Sequence, residues 1–384
     1  MHLNKAKLIL FLIFALLLGC EKAFDPKIKG SDVSKYVISG GVFAGADIQT
    51  VHISLTSPIS EPQPKPVSGC QVSIVDDQGN SFFLQDKGNG DYQASIEQEL
   101  LSIGTAFRLK VITPDESVLQ SDFDTLLACP AIESVYYELE TREGNNPQDI
   151  TPGAQFYLDF KGSTTDSRNL HWELVETYEY RSMYAREWVY DGQVHHIVPP
   201  DFSLMYCWRT SQIPEIFTLS TSNLSENAYS KLSLHFVSNK SVRFEYGYSL
   251  LVKQFSLTDA AFIYWDQMRQ NSQLGGSLYE TQPLAIKGNI NNLSDPDQEV
   301  LGYFCASQLK TQRVFTTNPG LELDYNSSCS PTELRMGLRE IDPSNYPAYL
   351  LGDEVSYSLV WLNQECVDCT SRGGINVKPD FWPN

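Results

Sequence analysis

The sequence predicts a mainly β protein in two units, a smaller N-terminal sandwich and a larger β-rich domain with one prominent α-helix. Three observations lead there. Apolar residues recur with period two in short runs, as Val51, Ile53 and Leu55 do in "TVHISLTSP", the pattern of a half-buried strand. Gly, Asp and Asn clusters break those runs at the short intervals typical of sandwiches. A helical period appears in one clear place, where Ala261, Trp265 and Met268 share a face.

The first element lies outside both units. An apolar run from Leu8 to Leu18 follows Lys5 and Lys7, and it is shorter than the roughly 20 residues a bilayer-spanning helix needs. A charged start, a short apolar stretch and small residues at its end describe a secretory signal. Leu17-Leu18-Gly19-Cys20 has the Leu-x-Gly-Cys form of a bacterial lipoprotein signal. Residues 1–19 are therefore expected to be removed, with Cys20 taking the lipid. Two or three acyl chains hold a membrane firmly, at about 0.8 kcal/mol per buried methylene. Residues 20–35 read as a polar tether, with Pro26 and Gly30 and little periodicity. Glu21, Lys22 and Asp25, just after the cysteine, resemble the surface-export signal of Bacteroidetes-type lipoproteins.

Residues 36–129 form the predicted sandwich. Val67 to Val75 reads as a strand, Asp76-Asp77-Gln78-Gly79-Asn80 as a hairpin turn and Ser81 to Leu84 as the returning strand. Gly88-Asn89-Gly90 turns before Tyr92. Phe107, Leu109 and Val111 point inward ahead of a turn at Pro114-Asp115-Glu116. The pattern resembles immunoglobulin-, transthyretin- and fibronectin-like modules. Asp76 and Asp77 could ligate calcium, although favouring the turn is the simpler role.

Residues 130–384 form the predicted larger domain, with "QFYLDF", "LHWELVETYEY", "KLSLHFV", "VRFEYGYSLLVKQF", "VLGYFCAS" and "VSYSLVWL" as strands. Leu232, Leu234 and Phe236 alternate, as do Phe244, Tyr246 and Tyr248. The helix is expected near residues 257–273. Ser256-Leu257-Thr258-Asp259 has capping-box form at its start, and Gly275-Gly276 would stop it. Phe262 and Trp265 are expected to anchor it to the sheet. "PDFWP", with Phe381 and Trp382, reads as a tail docked on the body.

Composition narrows the function. The chain carries 28 basic and 47 acidic side chains; losing Lys5 and Lys7 with the signal takes the net charge from -19 to -21. Such a balance argues against nucleic acid and anionic lipid surfaces as partners. Hydrophobics at 42% and aromatics at 12% supply ample core, so the chain is not a disordered one.

Seven cysteines follow Cys20: Cys70, Cys129, Cys207, Cys305, Cys329, Cys366 and Cys369. An exported chain meets an oxidising compartment, so disulfides are the default, and an odd count leaves at least one thiol over. Cys366-Val-Asp-Cys369 is the single C-x-x-C, and His195-His196 is the one histidine pair. Zinc would want a second such pair or two histidines at ligand spacing. Two or three disulfides are expected, at least one at Cys366 or Cys369, with no metal. The expected pairings are Cys70–Cys129 and Cys305–Cys329, with Cys207 near the C-terminal pair.

No catalytic signature appears: no G-x-S-x-G, H-E-x-x-H, phosphate loop or G-x-G-x-x-G. His171, His195, His196 and His235 lie in scattered contexts, and no catalytic residue, cofactor or metal is nominated. The segment Tyr178 to Arg209 differs in kind. It concentrates Tyr, Trp, Met and Arg, types enriched in protein interfaces. Tyr184, Trp188, Tyr190, Tyr206 and Trp208 are the candidate partner-binding residues; covering a core is the equally weighted alternative.

The lipobox, "VSGCQVSIVDDQGN" with "GNGDYQA", "YSLLVKQFSLTDAAFIYWDQMRQNSQLGGSLYETQP", "IKGNINNLSDPDQEVLGYFCAS" and "CVDCTSRGGINVKPDFWPN" together resemble the lipoproteins grouped as domain of unknown function 4249. The resemblance implies an outer-membrane lipoprotein of Bacteroidetes, typically encoded beside a TonB-dependent receptor and acting as its accessory in uptake or export. It implies no substrate and no catalytic residue. Two other readings stay open: a surface glycan hydrolase with an unlocated carboxylate pair, and a structural or adhesive surface module.

Overall fold

The computed structural model describes residues 34–58, 62–144, 150–274, 286–317, 319–325, 329–333, 337–353 and 358–383. The proposed lipidation site Cys20, most of the tether and the Gly275-Gly276 stop lie outside them. The chain is mainly β, with one α-helix among the described residues.

Strands Tyr36–Ala44, Gln49–Leu55, Gln71–Asp76, Ser81–Asp86, Asp91–Ala94, Ala106–Ile112 and Val118–Ser121 surround a first core containing Ile38, Val51, Ile74, Tyr92, Phe107 and Leu109. The expected hairpin is present. The Asp76 carboxylate accepts the Gln78 and Asn80 amide N–H groups and the Asn80 side chain, so both its oxygens serve the turn.

A second core lies between two layers. One layer holds Tyr206–Ser220, Asn169–Arg181 and Gly247–Leu257; the other holds Ala131–Glu143, Ile150–Lys161 and Ala228–Ser238. Phe156, Phe160, Trp172, Leu174, Tyr248 and Val252 fill the space between them. A five-stranded sheet, ordered Val194–Asp201, Arg186–Tyr190, Ala348–Asp353, Ser358–Leu362 and Thr332–Glu333, stands apart with its own small clusters around Tyr190, Leu350 and Leu362.

One strand joins the first two cores. Leu301–Thr316 runs parallel to Tyr36–Ala44 through its first half and antiparallel to Gly247–Leu257 through its second. Phe304 and Ala306 fall in the first core and Val314 packs on the second. Ile290–Asn292 pairs with Val118–Ser121, and Ile290 and Val300 join the first core too. The close approach depends on Gly302, at φ +102°, where a Cβ would meet the Ile38 carbonyl oxygen at 1.8 Å. Any side chain there meets both backbone strain and a clash.

The helix spans Asp259–Leu274, and Ala261 on its inner face is fully buried. Its cap differs from the expected one. Thr258 Oγ1 accepts the Ala261 N–H at 3.4 Å, whereas the Ser256 hydroxyl donates to the Leu127 carbonyl. The run at Phe244 also departs from expectation. Ser241 accepts the Arg243 N–H and starts a short 3-10 turn over Val242–Phe244, so the strand begins at Gly247. The tail docks as expected: Trp382 packs edge-on against Phe315 at 5.8 Å and lies over Gly247.

The cysteine pairing corrects two expectations. The disulfides are Cys207–Cys369 and Cys329–Cys366, and Cys70, Cys129 and Cys305 are buried free thiols. Cys70–Cys129 does not form because Cys70 faces the first core, where its backbone N–H donates to the Tyr92 hydroxyl, while Cys129 faces the second beside Gln254. Cys305–Cys329 does not form because Cys305 packs under the helix with Leu257 and Ala261, and Cys329 lies in the cluster around Leu362. Cys207 does sit at the C-terminal pair.

Candidate functional site

The strand Val194–Asp201 is an edge strand of the five-stranded sheet; its hairpin partner Arg186–Tyr190 carries Trp188 and Tyr190, Tyr184 lies just before it, and Tyr206 and Trp208 stand on the outermost strand of the long sheet. Alternation sends most of them inward. Tyr190 is 4% exposed and meets Tyr346 edge-on at 5.4 Å. Trp208 is 9% exposed, with its backbone bridged to Ile375. Tyr184 packs on the Cys329 and Cys366 cluster, and its N–H donates to the Cys366 carbonyl. Trp188 is half-buried and stacks on His196 with centroids 3.7 Å apart. Tyr206 alone of the five faces solvent, at 38% exposure, beneath the Arg181 guanidinium.

Sequence reasoning missed the residues that are exposed at this end. Val198 stands 74% exposed on the edge strand, followed by Phe202 at 51%. Backbone and side-chain bonds gather others around them. Ser182 N–H donates to Met205 O, Met205 N–H to Phe202 O, and the Asn376 side chain to Ser203 O. Met183, Ile375 and Val377, all exposed, thus sit beside Phe202 and Tyr206. The Cys207–Cys369 disulfide lies close by in the chain, Cys207 two residues before Arg209 and Cys369 six before Ile375. The signal of these exposed side chains in sequence was weak, because residues as far apart as Val198 and Val377 carry it.

A second cluster lies inside the larger sandwich. The Glu176 carboxylate, 4% exposed, receives Arg243 Nε at 2.9–3.0 Å, the Tyr248 hydroxyl at 3.2 Å and the Ser211 hydroxyl at 3.2 Å. His235 lies 3.8 Å away on the same side. Burial holds His235 below the ordinary imidazole value against the pull of Glu176 and Glu215, and burial raises Tyr248. Every donor that reaches Glu176 comes from an element of the sandwich, so the group locks packing together. Among the described residues, no group of three His, Cys, Asp or Glu side chains is placed to hold a metal, and no helix is long and apolar enough to cross a membrane.

The fold is that of a disulfide-fastened, mainly β protein with exposed apolar side chains at its C-terminal end. The chain belongs to the family described as domain of unknown function (DUF4249), whose model matches residues 21–313. A comparison with curated proteins found no match. Among solved structures, trypsin-activated alpha-2-macroglobulin from Escherichia coli is similar at 11% identity and a TM-score of 0.20. That likeness covers 85% of this chain, which spans 17% of the length of that one.

Proposed function

We propose that the protein is an outer-membrane lipoprotein, held by lipid on Cys20 and exposed at the cell surface, that acts as accessory partner to a TonB-dependent receptor in substrate capture or transport. The observation that carries this reading is the exposed apolar side chains at this end of the chain: Val198 on the edge strand of the five-stranded sheet, and Met183, Phe202, Tyr206, Ile375 and Val377 on the loops and strand end nearby in the backbone hydrogen-bond network. Two disulfides fit an exported chain. The lipobox and the resemblance to receptor-linked lipoproteins support the anchor and the accessory role. The role is binding, not catalysis: the buried acidic and imidazole groups hold the sandwich together.

The test is isolation of the tagged protein from native membranes in mild detergent. A large β-barrel protein should co-purify, and Cys20→Ser should move the chain to the soluble fraction and lose the barrel. Recovery of the chain alone, with Cys20 intact, contradicts the reading.

A further inference from the structure

The strands Tyr206–Ser220 and Ala228–Ser238 follow one another in sequence but end different sheets, so the side of the second sandwich between them stays open. A cavity of about 620 Å³ occupies that opening, closed at one end by Arg269, Ser272 and Gln273 of the helix. This is within the range of small-molecule sites, about 300–1,000 Å³.

Its walls are mixed: Trp172, Phe217, Leu232 and Phe236 supply an apolar part among polar side chains. Trp172 donates its indole N–H to Gln254 Oε1 at 3.0 Å, so it offers the cavity carbon alone. Among the polar groups, two side chains offer spare donors, Arg142 and Gln273. Arg142 stacks on Phe236 at 4.1 Å and gives one N–H to Gln155 Oε1 at 2.7 Å. A guanidinium carries five N–H groups, and no carboxylate forms an ion pair with Arg142 among the described residues. Arg269, by contrast, is neutralised by Asp266 at 2.8 Å. Gln273 accepts from Arg269 through Oε1, which leaves its amide N–H₂ as a donor. The one acid at the rim, Glu215, is 62% exposed, and it lies 3.6 Å from His235.

We propose that this cavity binds an amphipathic organic anion, with its apolar body among Trp172, Phe217, Leu232 and Phe236 and its carboxylate or sulfonate on Arg142. Arg142 is exposed, so its spare N–H groups stand in solvent at the cavity mouth, and an apolar ligand alone would make no use of them. An anionic head supplies paired, charge-assisted acceptors. The site stands whether or not the chain docks on a receptor. A free fatty acid and the headgroup region of an anionic lipid share this chemistry, and the experiment separates them.

The purified chain is titrated calorimetrically with dodecanoate and with dodecyltrimethylammonium, each below its micelle concentration. Dodecanoate should saturate one site and bind at least about tenfold tighter than the cation. Arg142→Gln should weaken dodecanoate by about tenfold or more, and Arg142→Glu should reverse the preference. Ser233 is exposed at the cavity wall, so Ser233→Trp should fill the space and abolish binding while circular dichroism and melting stay native. Equal affinity for the two amphiphiles, or no effect of the Arg142 variants, overturns the proposal. Sedimentation with phosphatidylglycerol vesicles in the absence of any dodecanoate binding overturns it too.

Discussion

Cys207 and Cys369, 162 positions apart in sequence, are joined with their Cα atoms 5.8 Å apart, and the Tyr180 hydroxyl donates to the Cys369 carbonyl at 2.7 Å beside them. The bond fastens the C-terminal segment to the outermost strand of the long sheet. Closing so long a loop removes much of the unfolded chain's freedom. Replacing both cysteines by serine should cost about 4–5 kcal/mol on the chain-entropy relation. Urea unfolding measures it, and an unchanged midpoint would contradict the assigned constraint.

The thiol count gives an independent check. Under denaturing conditions without reductant, alkylation of the mature chain should add three groups, at Cys70, Cys129 and Cys305. With reductant the number should rise to seven. In the native state all three should react slowly, because burial pushes the Cys129 thiol up to about 11 and raises Cys305 further. Peptide mapping that finds Cys70 joined to Cys129 would refute the pairing.

His171 should make the fold acid-sensitive. It is 5% exposed, lies flat on Trp265 with centroids 4.5 Å apart, and donates to the Phe217 carbonyl at 3.0 Å as the neutral ring. Burial lowers its pKa to about 4. A depressed folded-state value means the stabilisation is complete above the unfolded value, about 6.5, and is lost as pH falls toward 4. The loss should reach about 3 kcal/mol. His171→Phe keeps the stack and removes the titration. The stability difference between wild type and variant, followed from pH 7.5 to 4, should therefore shift by that amount in the variant's favour; a constant difference would rule out the mechanism.

Arg243→Met should destabilise by about 2–3 kcal/mol, because it strands the Glu176 carboxylate. This is less than for a fully buried pair, since the Arg243 side chain is 38% exposed. Glu176→Gln in the same chain should recover part of the loss. Thermal unfolding of the two single variants and the double variant forms the cycle, and strictly additive effects would show the two groups to be uncoupled.

Local pattern carried much of this fold. The turn at Asp76–Asn80 and the helix follow from residues close in sequence, and both are present; the alternation of Leu232, Leu234 and Phe236 is broken by a bulge, so that Val237 takes the core position and Phe236 turns out beneath Arg142. Pairings over long distances were hidden. The parallel match of Leu301–Thr316 with Tyr36–Ala44 depends on backbone approach at Gly302, which no periodicity announces. Cysteine partners were misread for the same reason, since the strand face of Cys70 or Cys305 fixes its core, not its neighbours in sequence. In the aromatic segment residue type was legible but direction was not. Tyr190 and Trp208 turned inward, and Val198 and Phe202 took the outer face.

The receptor partnership is tested most directly by site-specific photocrosslinking in living cells. A benzophenone side chain is placed at Val198 on the exposed edge strand and, as control, at Phe83, equally exposed at 75% on the first unit. Crosslinking from Val198, and not from Phe83, to a large outer-membrane β-barrel protein is the expected result. No barrel adduct from Val198, in a chain shown to be lipidated and folded, would contradict the account.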